Sequence, residues 1–249
     1  MNRIPKTEIS VSPVTLGTMT FGSPVAFDDA VKLTQYALSH GINHIDTANM
    51  YEGYNRVAGS AGGVAEEIVG AAIHGMPRGS VIVSTKVGMK VGSEPEDEGT
   101  SAKAIEKQLN ASLKRLRTDY IDLYYLHRFD GNVSAEEILR ALQKAVYAGK
   151  IRYYGVSNYS AEQLRALLTA ADELNLPRPV VCQPPLSMLK QDALTELIPL
   201  CAAEDIAVIP YQIYQGGLLT GKYQRGMEPP KGSRAEEKPA WLASPDDAL

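Results

Sequence analysis

The sequence predicts an α/β protein built on a parallel sheet wrapped by helices. Three observations carry this. Apolar β runs and helical segments alternate strictly along the chain, the order that a parallel sheet with helical crossovers imposes. The β runs are continuously apolar, as in Val81, Ile82 and Val83, rather than alternating, as expected when helices cover the sheet. The length of 249 residues suits one α/β barrel, which takes about 250.

The elements follow in order. Residues 8–13 alternate and turn, which suits an N-terminal hairpin. The first sheet strand is expected within 14–21, and a helix over 28–40 stops at Gly41, a good residue just past a helix end. A short strand, Asn43-His44-Ile45, leads into Asp46. The Gly/Ala/Ser-rich stretch 53–63 must be loop, and 65–74 is helical. A β-branched strand covers 81–86, and the acidic stretch 90–99 is expected as a solvated loop. Ile105, Leu109, Leu113 and Leu116 form an apolar stripe at helical spacing. Strands at 120–127 and 151–156 enclose a helix that opens with the capping-box pattern Ser134-Ala135-Glu136-Glu137 and ends at Gly149. Ser160-Ala161-Glu162-Gln163 repeats that pattern before Leu164, Leu167, Leu168 and Ala171. A strand at 179–183, a helix marked by Leu194, Leu197 and Leu200 and bent by Pro199, and a strand at 206–211 complete the series.

That makes seven strands, one short of a closed barrel. Residues 212–249 are rich in Gly, Pro, Lys and Glu without a β-branched run, and no eighth βα unit is found there. A sheet with two open edges invites pairing with another chain, so a seven-stranded barrel is expected either to form a homodimer through those edges or to be unstable.

Composition narrows the function. The net charge is −4 with no basic block, which argues against nucleic acid and anionic membrane partners. No apolar run is long enough for a signal core or a membrane span, so a cytoplasmic protein is expected. Cys182 and Cys201 are the only cysteines and are read as buried thiols. No ligand spacing suggests a metal.

In parallel α/β proteins the chemistry gathers at the C-terminal ends of strands. Those ends carry Asp46, Lys86, His127, Ser157 with Asn158, Gln183 and Tyr211, and Tyr51 follows Asp46 closely. Lys86 continues a buried strand and needs an acidic partner. Asp46 on the neighbouring strand supplies one. A phenol is a weak acid, with a reference pKa of about 10. An adjacent ammonium is expected to lower it. A histidine can hydrogen-bond a substrate carbonyl or share in proton transfer. Together these residues make a device for protonating an oxygen as a carbonyl is reduced.

At this point the chain resembles the aldo-keto reductases. Asp46-Thr47-Ala48-Asn49-Met50-Tyr51 fits their Asp-Thr-Ala-x-x-Tyr. Ser84-Thr85-Lys86, Leu123-Tyr124-Tyr125-Leu126-His127-Arg128 and Gly155-Val156-Ser157-Asn158 fit their lysine strand, histidine strand and Ser-Asn turn. Ala65-Glu66-Glu67-Ile68-Val69-Gly70 fits the opening of their second helix. Leu218-Leu219-Thr220-Gly221-Lys222-Tyr223 and Gly232-Ser233-Arg234 fit their cofactor-covering loop. The resemblance implies one (β/α)8 TIM-barrel domain, with 212–249 as cofactor-covering loop and tail, that reduces an aldehyde or ketone with NADPH, forming NADP+. It implies Tyr51 as general acid, Lys86 and Asp46 tuning it, and His127 orienting the carbonyl substrate. It implies that Ser157, Asn158 and Gln183 bind the nicotinamide carboxamide and that Tyr211 stacks on the ring. Gly17, Thr18, Met19, Gln212, Ile213, Tyr214, Gly217, Leu218, Lys222 and Arg234 complete the implied cofactor contacts. His127 is expected to set the chain apart from the potassium-channel β-subunit branch, which tends to lack it. The chain departs from the pattern at Gln212-Ile213-Tyr214, where Ser-Pro-Leu is usual, in the long 53–63 loop beside Tyr51, and in the unfound last strand. That last departure opens an alternative: a truncated or catalytically impaired barrel that binds NADPH weakly.

Overall fold

A computed structural model describes residues 1–57, 59–224 and 226–242. The hairpin strands β1 (Asn2–Arg3) and β2 (Ser10–Val11) come first. They are followed by β3 (Leu16–Gly17), α1 (Phe27–Ser39), β4 (His44–Asp46), α2 (Val64–Ile73), β5 (Ile82–Val87), α3 (Ala102–Leu116), β6 (Ile121–Leu126) and α4 (Ala135–Tyr147). The series continues with β7 (Ile151–Ser157), α5 (Ala161–Glu173), β8 (Val181–Gln183), α6 (Leu197–Ala203), β9 (Ala207–Val208) and α7 (Arg234–Glu237). Strands β3 to β9 pair in sequence order, all parallel. Among the described residues no eighth strand joins β9 to β3. The architecture is an incomplete (β/α)8 barrel, as the sequence predicts.

Strand alternation divides the side chains into two sets. Val83, Val87, Tyr124, Leu126, Tyr154 and Val156 point outward and meet Ile105, Leu109, Leu116, Ile138, Leu142, Leu164 and Leu168 of the helices in the main core. Ile82, Leu123, Tyr125 and Val181 point inward and pack with Ile4, Ile9 and Val11, so the N-terminal hairpin plugs the interior from below. Gly155 belongs to the inward set. A β-carbon there would collide with Val181 and lie 3.0 Å from Tyr125 Cε1, so the two neighbouring strands leave room for glycine alone.

The boundaries differ from expectation in four places. The first sheet strand shrinks to Leu16–Gly17: its last ladder bond runs from the Thr18 amide to the Asp46 carbonyl, and the chain then turns, the Phe21 amide donating back to the Thr18 carbonyl. The last shrinks to Ala207–Val208, although Tyr211 still bridges to Pro185. Leu194 lies in a separate 3-10 turn, and α6 begins at Leu197. Pro199 therefore occupies the first helical turn, where its missing N–H breaks no bond and no bend results. The acidic 90–99 stretch is only partly solvated. Val91 is buried, Glu94 and Asp97 cap a 3-10 turn, and Asp97 pairs with Lys107 at 2.8 Å.

Candidate active site

The inward-facing residues at the sheet's C-terminal rim form the site. Asp46 pairs with Ser84, and Lys86 with Tyr125, so the period of two brings Asp46, Ser84, Lys86, His127, Ser157 and Gln183 to one face and one end. Tyr51 reaches the same place from the loop after β4.

Lys86 is wholly buried, and each of its three N–H donors has an acceptor. These are Asp46 Oδ2 at 2.6 Å, the Thr47 carbonyl at 2.8 Å and Tyr51 OH at 3.3 Å. Burial disfavours the ammonium, but Asp46 and Tyr51 outweigh it and hold the Lys86 pKa above its ordinary value. Burial likewise opposes the Asp46 carboxylate. The charge and hydrogen bond of Lys86, with the hydroxyl of Ser84 at 2.7 Å, prevail and hold its pKa below the usual range. The charges are therefore fixed: a carboxylate, an ammonium and a phenol in a row.

Lys86 does pull the Tyr51 pKa down, as expected, but the net shift runs the other way. Burial pushes the phenol up by more than the ammonium pulls it down, and the Asp46 charge adds to the upward push, so the net shift is upward. Tyr51 is a firmly protonated phenol. Its ring meets His127 edge-on at 5.9 Å between centroids. Burial, aided by the Lys86 charge, drops the His127 pKa to about 3, so the imidazole is neutral. Its Nδ1 is buried with no hydrogen-bond partner among the described residues.

The residues expected around a nicotinamide also converge, but largely on one another. Asn158, in the left-handed backbone region at φ 56°, donates from Nδ2 to the His127 carbonyl at 2.9 Å. Its Oδ1 accepts from Tyr211 OH at 2.6 Å. Ser157 Oγ donates to the Gln183 carbonyl at 2.9 Å. The amide of Gln183 turns inward, donating to Asp46 Oδ1 at 3.1 Å, which differs from the outward role that the resemblance implies. Thr18 donates to the Asp46 carbonyl at 3.1 Å, beside Gly17, whose inner side is open, and the half-buried Met19.

Gln212, Ile213 and Tyr214 are exposed, Gln212 at φ 61°. A tight 3-10 turn follows over Gln215–Thr220, where Gly216 and Gly217 take φ of 68° and 103°, values a side chain would strain. Leu218 is half-buried in it. A β-carbon at Gly217 would lie 2.8 Å from Lys222 Nζ, and one at Gly216 would lie 3.6 Å from Arg234 Nη1. Two cations thus flank the glycine pair. Neither has a carboxylate within ion-pair distance among the described residues. Arg234 also reaches Tyr54 OH at 3.5 Å, and the Tyr54 ring meets Trp241 edge-on. The 53–63 loop and the C-terminal segment therefore touch beside the mouth.

Sequence reasoning named the residues of the rim but passed over two behind it. Ser84 and His44 stand two positions before Lys86 and Asp46, and the strand period of two is the signal that finds them. No group of three or more potential metal ligands occurs among the described residues. No helix there is long and apolar enough to cross a membrane.

An open (β/α)8 barrel with a buried Asp46–Lys86 pair and a half-buried Tyr51 at its C-terminal rim places the chain among the α/β barrels. The sequence model of the aldo/keto reductase family matches residues 13–245. The chain belongs to the aldo/keto reductase family. It is 36% identical over 243 residues to a probable voltage-gated potassium channel subunit beta of Arabidopsis thaliana, covering 96% of this chain and 71% of that one. It is 37% identical over 252 residues to protein Tas of Escherichia coli, covering 92% and 72%. An uncharacterized oxidoreductase of Bacillus subtilis, YrpG, is 34% identical over 224 residues, covering 87% and 67%. The channel subunit and the bacterial proteins are about equally similar, so overall identity does not make the separation expected of His127.

Proposed function

We propose that this chain reduces an aldehyde or ketone to the alcohol, with NADPH as hydride donor and Tyr51 as proton donor. The observation that carries the reading is the Asp46–Lys86–Tyr51 row, in which every ammonium proton is accounted for and the phenol stands at the end. NADPH, when bound, supplies a hydride to the carbonyl carbon. The oxygen then gains negative charge, and an alkoxide is a far stronger base than a phenolate. Tyr51 stays protonated until that moment and gives its proton to this oxygen. The Lys86 ammonium stabilises the phenolate left behind, and Asp46 keeps Lys86 charged and in place. His127, as a neutral imidazole, offers a ring N–H to the same oxygen without adding a second cation beside Lys86.

The donor set suits the cofactor's anionic parts. Lys222 and Arg234 flank a glycine turn and carry charge that no described carboxylate neutralises, as a pyrophosphate or phosphate site requires. Tyr211 and Asn158 would hold the nicotinamide end. Gln183 would act instead through Asp46.

The test is direct. The chain is mixed with NADPH and 4-nitrobenzaldehyde, and loss of NADPH absorbance is followed alongside alcohol formation. Matched consumption and product support the reading. Saturable NADPH binding without any reduction would overturn it.

A further inference from the structure

A line of polar side chains runs back from Asp46, beneath the rim. Thr15 Oγ1 lies 2.9 Å from His44 Nδ1, His44 Nε2 lies 2.9 Å from Ser84 Oγ, and Ser84 Oγ lies 2.7 Å from Asp46 Oδ1. His44 and Asp46 stand on β4, Ser84 on β5 and Thr15 just before β3, and His44 and Ser84 are wholly buried. The polarity of the line follows from its end. An ionised carboxylate only accepts, so the single Ser84 proton goes to Asp46. The Ser84 oxygen must then accept from His44, which places the ring proton on Nε2. Burial drops the His44 pKa to about 4, so Nδ1 is unprotonated and accepts from Thr15.

We infer that His44 is a positioning residue of this site, a neutral Nε2–H imidazole that commits the Ser84 hydroxyl to Asp46. The consequence reaches Tyr51 in two steps. Ser84 and Gln183 both occupy Asp46 Oδ1, which leaves Oδ2 for Lys86. A carboxylate pinned at one oxygen cannot rotate, so the ammonium at the other is held on Tyr51. Without His44, the Ser84 oxygen lacks its buried donor, the hydroxyl is free to turn, and Asp46 loses one of the bonds that fix it. The titratable groups whose charges act on His44 are Asp46 on its own strand, Lys86 on β5 and Asp122 on β6. The kinetic part of this inference rests on the proposed roles of Asp46, Lys86 and Tyr51.

Two measurements decide it. In the unaltered chain with 15N-labelled histidine, the His44 ring nitrogens should show the neutral Nε2–H pattern throughout pH 5–9 (a range set by the ordinary histidine pKa of about 6.5). A proton on Nδ1, or titration near the ordinary value, overturns the assignment. In the kinetic arm, His44→Leu and Ser84→Ala should each lower kcat about tenfold with KM for NADPH unchanged. The acid limb of kcat should move to higher pH, because Asp46 has lost a donor that favours its charged form. His44→Gln, which keeps an amide donor toward Ser84, should stay within about threefold of the unaltered chain. The double variant should be no worse than the weaker single. Wild-type kcat and pH profile in His44→Leu, or full additivity, would overturn the positioning role. If the unaltered chain reduces no aldehyde, the proposed function fails while the nitrogen spectra still decide the state of His44.

Discussion

Lys86 is the residue on which the site's electrostatics turn. Its ammonium is buried and its partner Asp46 is buried with it, so removing one leaves the other uncompensated, at a cost of about 3–5 kcal/mol. Lys86→Met should therefore lower the urea midpoint markedly and abolish reduction. Adding Asp46→Asn should recover much of the stability and none of the activity. A double variant no more stable than the single would argue that the pair is not an isolated electrostatic unit. The buried histidines make a second residue-scale prediction. His44 and His127 have folded pKa values of about 4 and about 3, well below the ordinary value of about 6.5. The folded state thus resists protons that the unfolded chain takes up. Their contribution is complete above pH ~6.5 and is lost as pH falls through the folded values. Urea midpoints measured at steps from pH 7 to pH 4 should fall steadily, and the fall should shrink in His44→Gln. The cations give a third. Lys222→Ala and Arg234→Ala should each weaken NADPH about tenfold with kcat unchanged, more at low salt than at high.

At the scale of the element, caps and close contacts decide. Ser134 and Ser160 each accept a backbone N–H in the first turn of α4 and α5. Ser160→Ala should cost about 1 kcal/mol in denaturant titration and leave kcat unchanged. Both caps were legible in the sequence, because Ser followed by an acid or amide three residues on is a local signal. So were the helix stripes, of which Ile105, Leu109 and Leu116 are buried. Short strands were less legible. Leu16–Gly17 gives way to a turn in which the Phe21 amide donates to the Thr18 carbonyl, and no apolar pattern announces that. The candidate site was legible in its residue types and strand ends. Its energetics were not. The direction of the Tyr51 shift depends on how completely the phenol is buried, and the Gln183 orientation depends on an Asp46 oxygen from a strand 137 residues away in sequence.

The molecule as a whole places a reductase-type rim on a sheet whose edge strands β3 and β9 each lack a partner on one side among the described residues. We propose that a homodimer forms through those edges. An apparent Tm that rises with protein concentration would accord with it, and one independent of concentration would not. The N-terminal hairpin seals the interior from below, and the inward residues fill it up to Tyr125. The candidate site lies at the rim, beside Tyr54, Arg234 and Trp241.

The most direct test of the central claim replaces the proposed proton donor alone. Initial rates of 4-nitrobenzaldehyde reduction at saturating NADPH are compared between the unaltered chain and Tyr51→Phe, with NADPH affinity and the unfolding midpoint measured on both. The account predicts retained folding and cofactor affinity with kcat reduced at least ~100-fold. Undiminished turnover by Tyr51→Phe would contradict it.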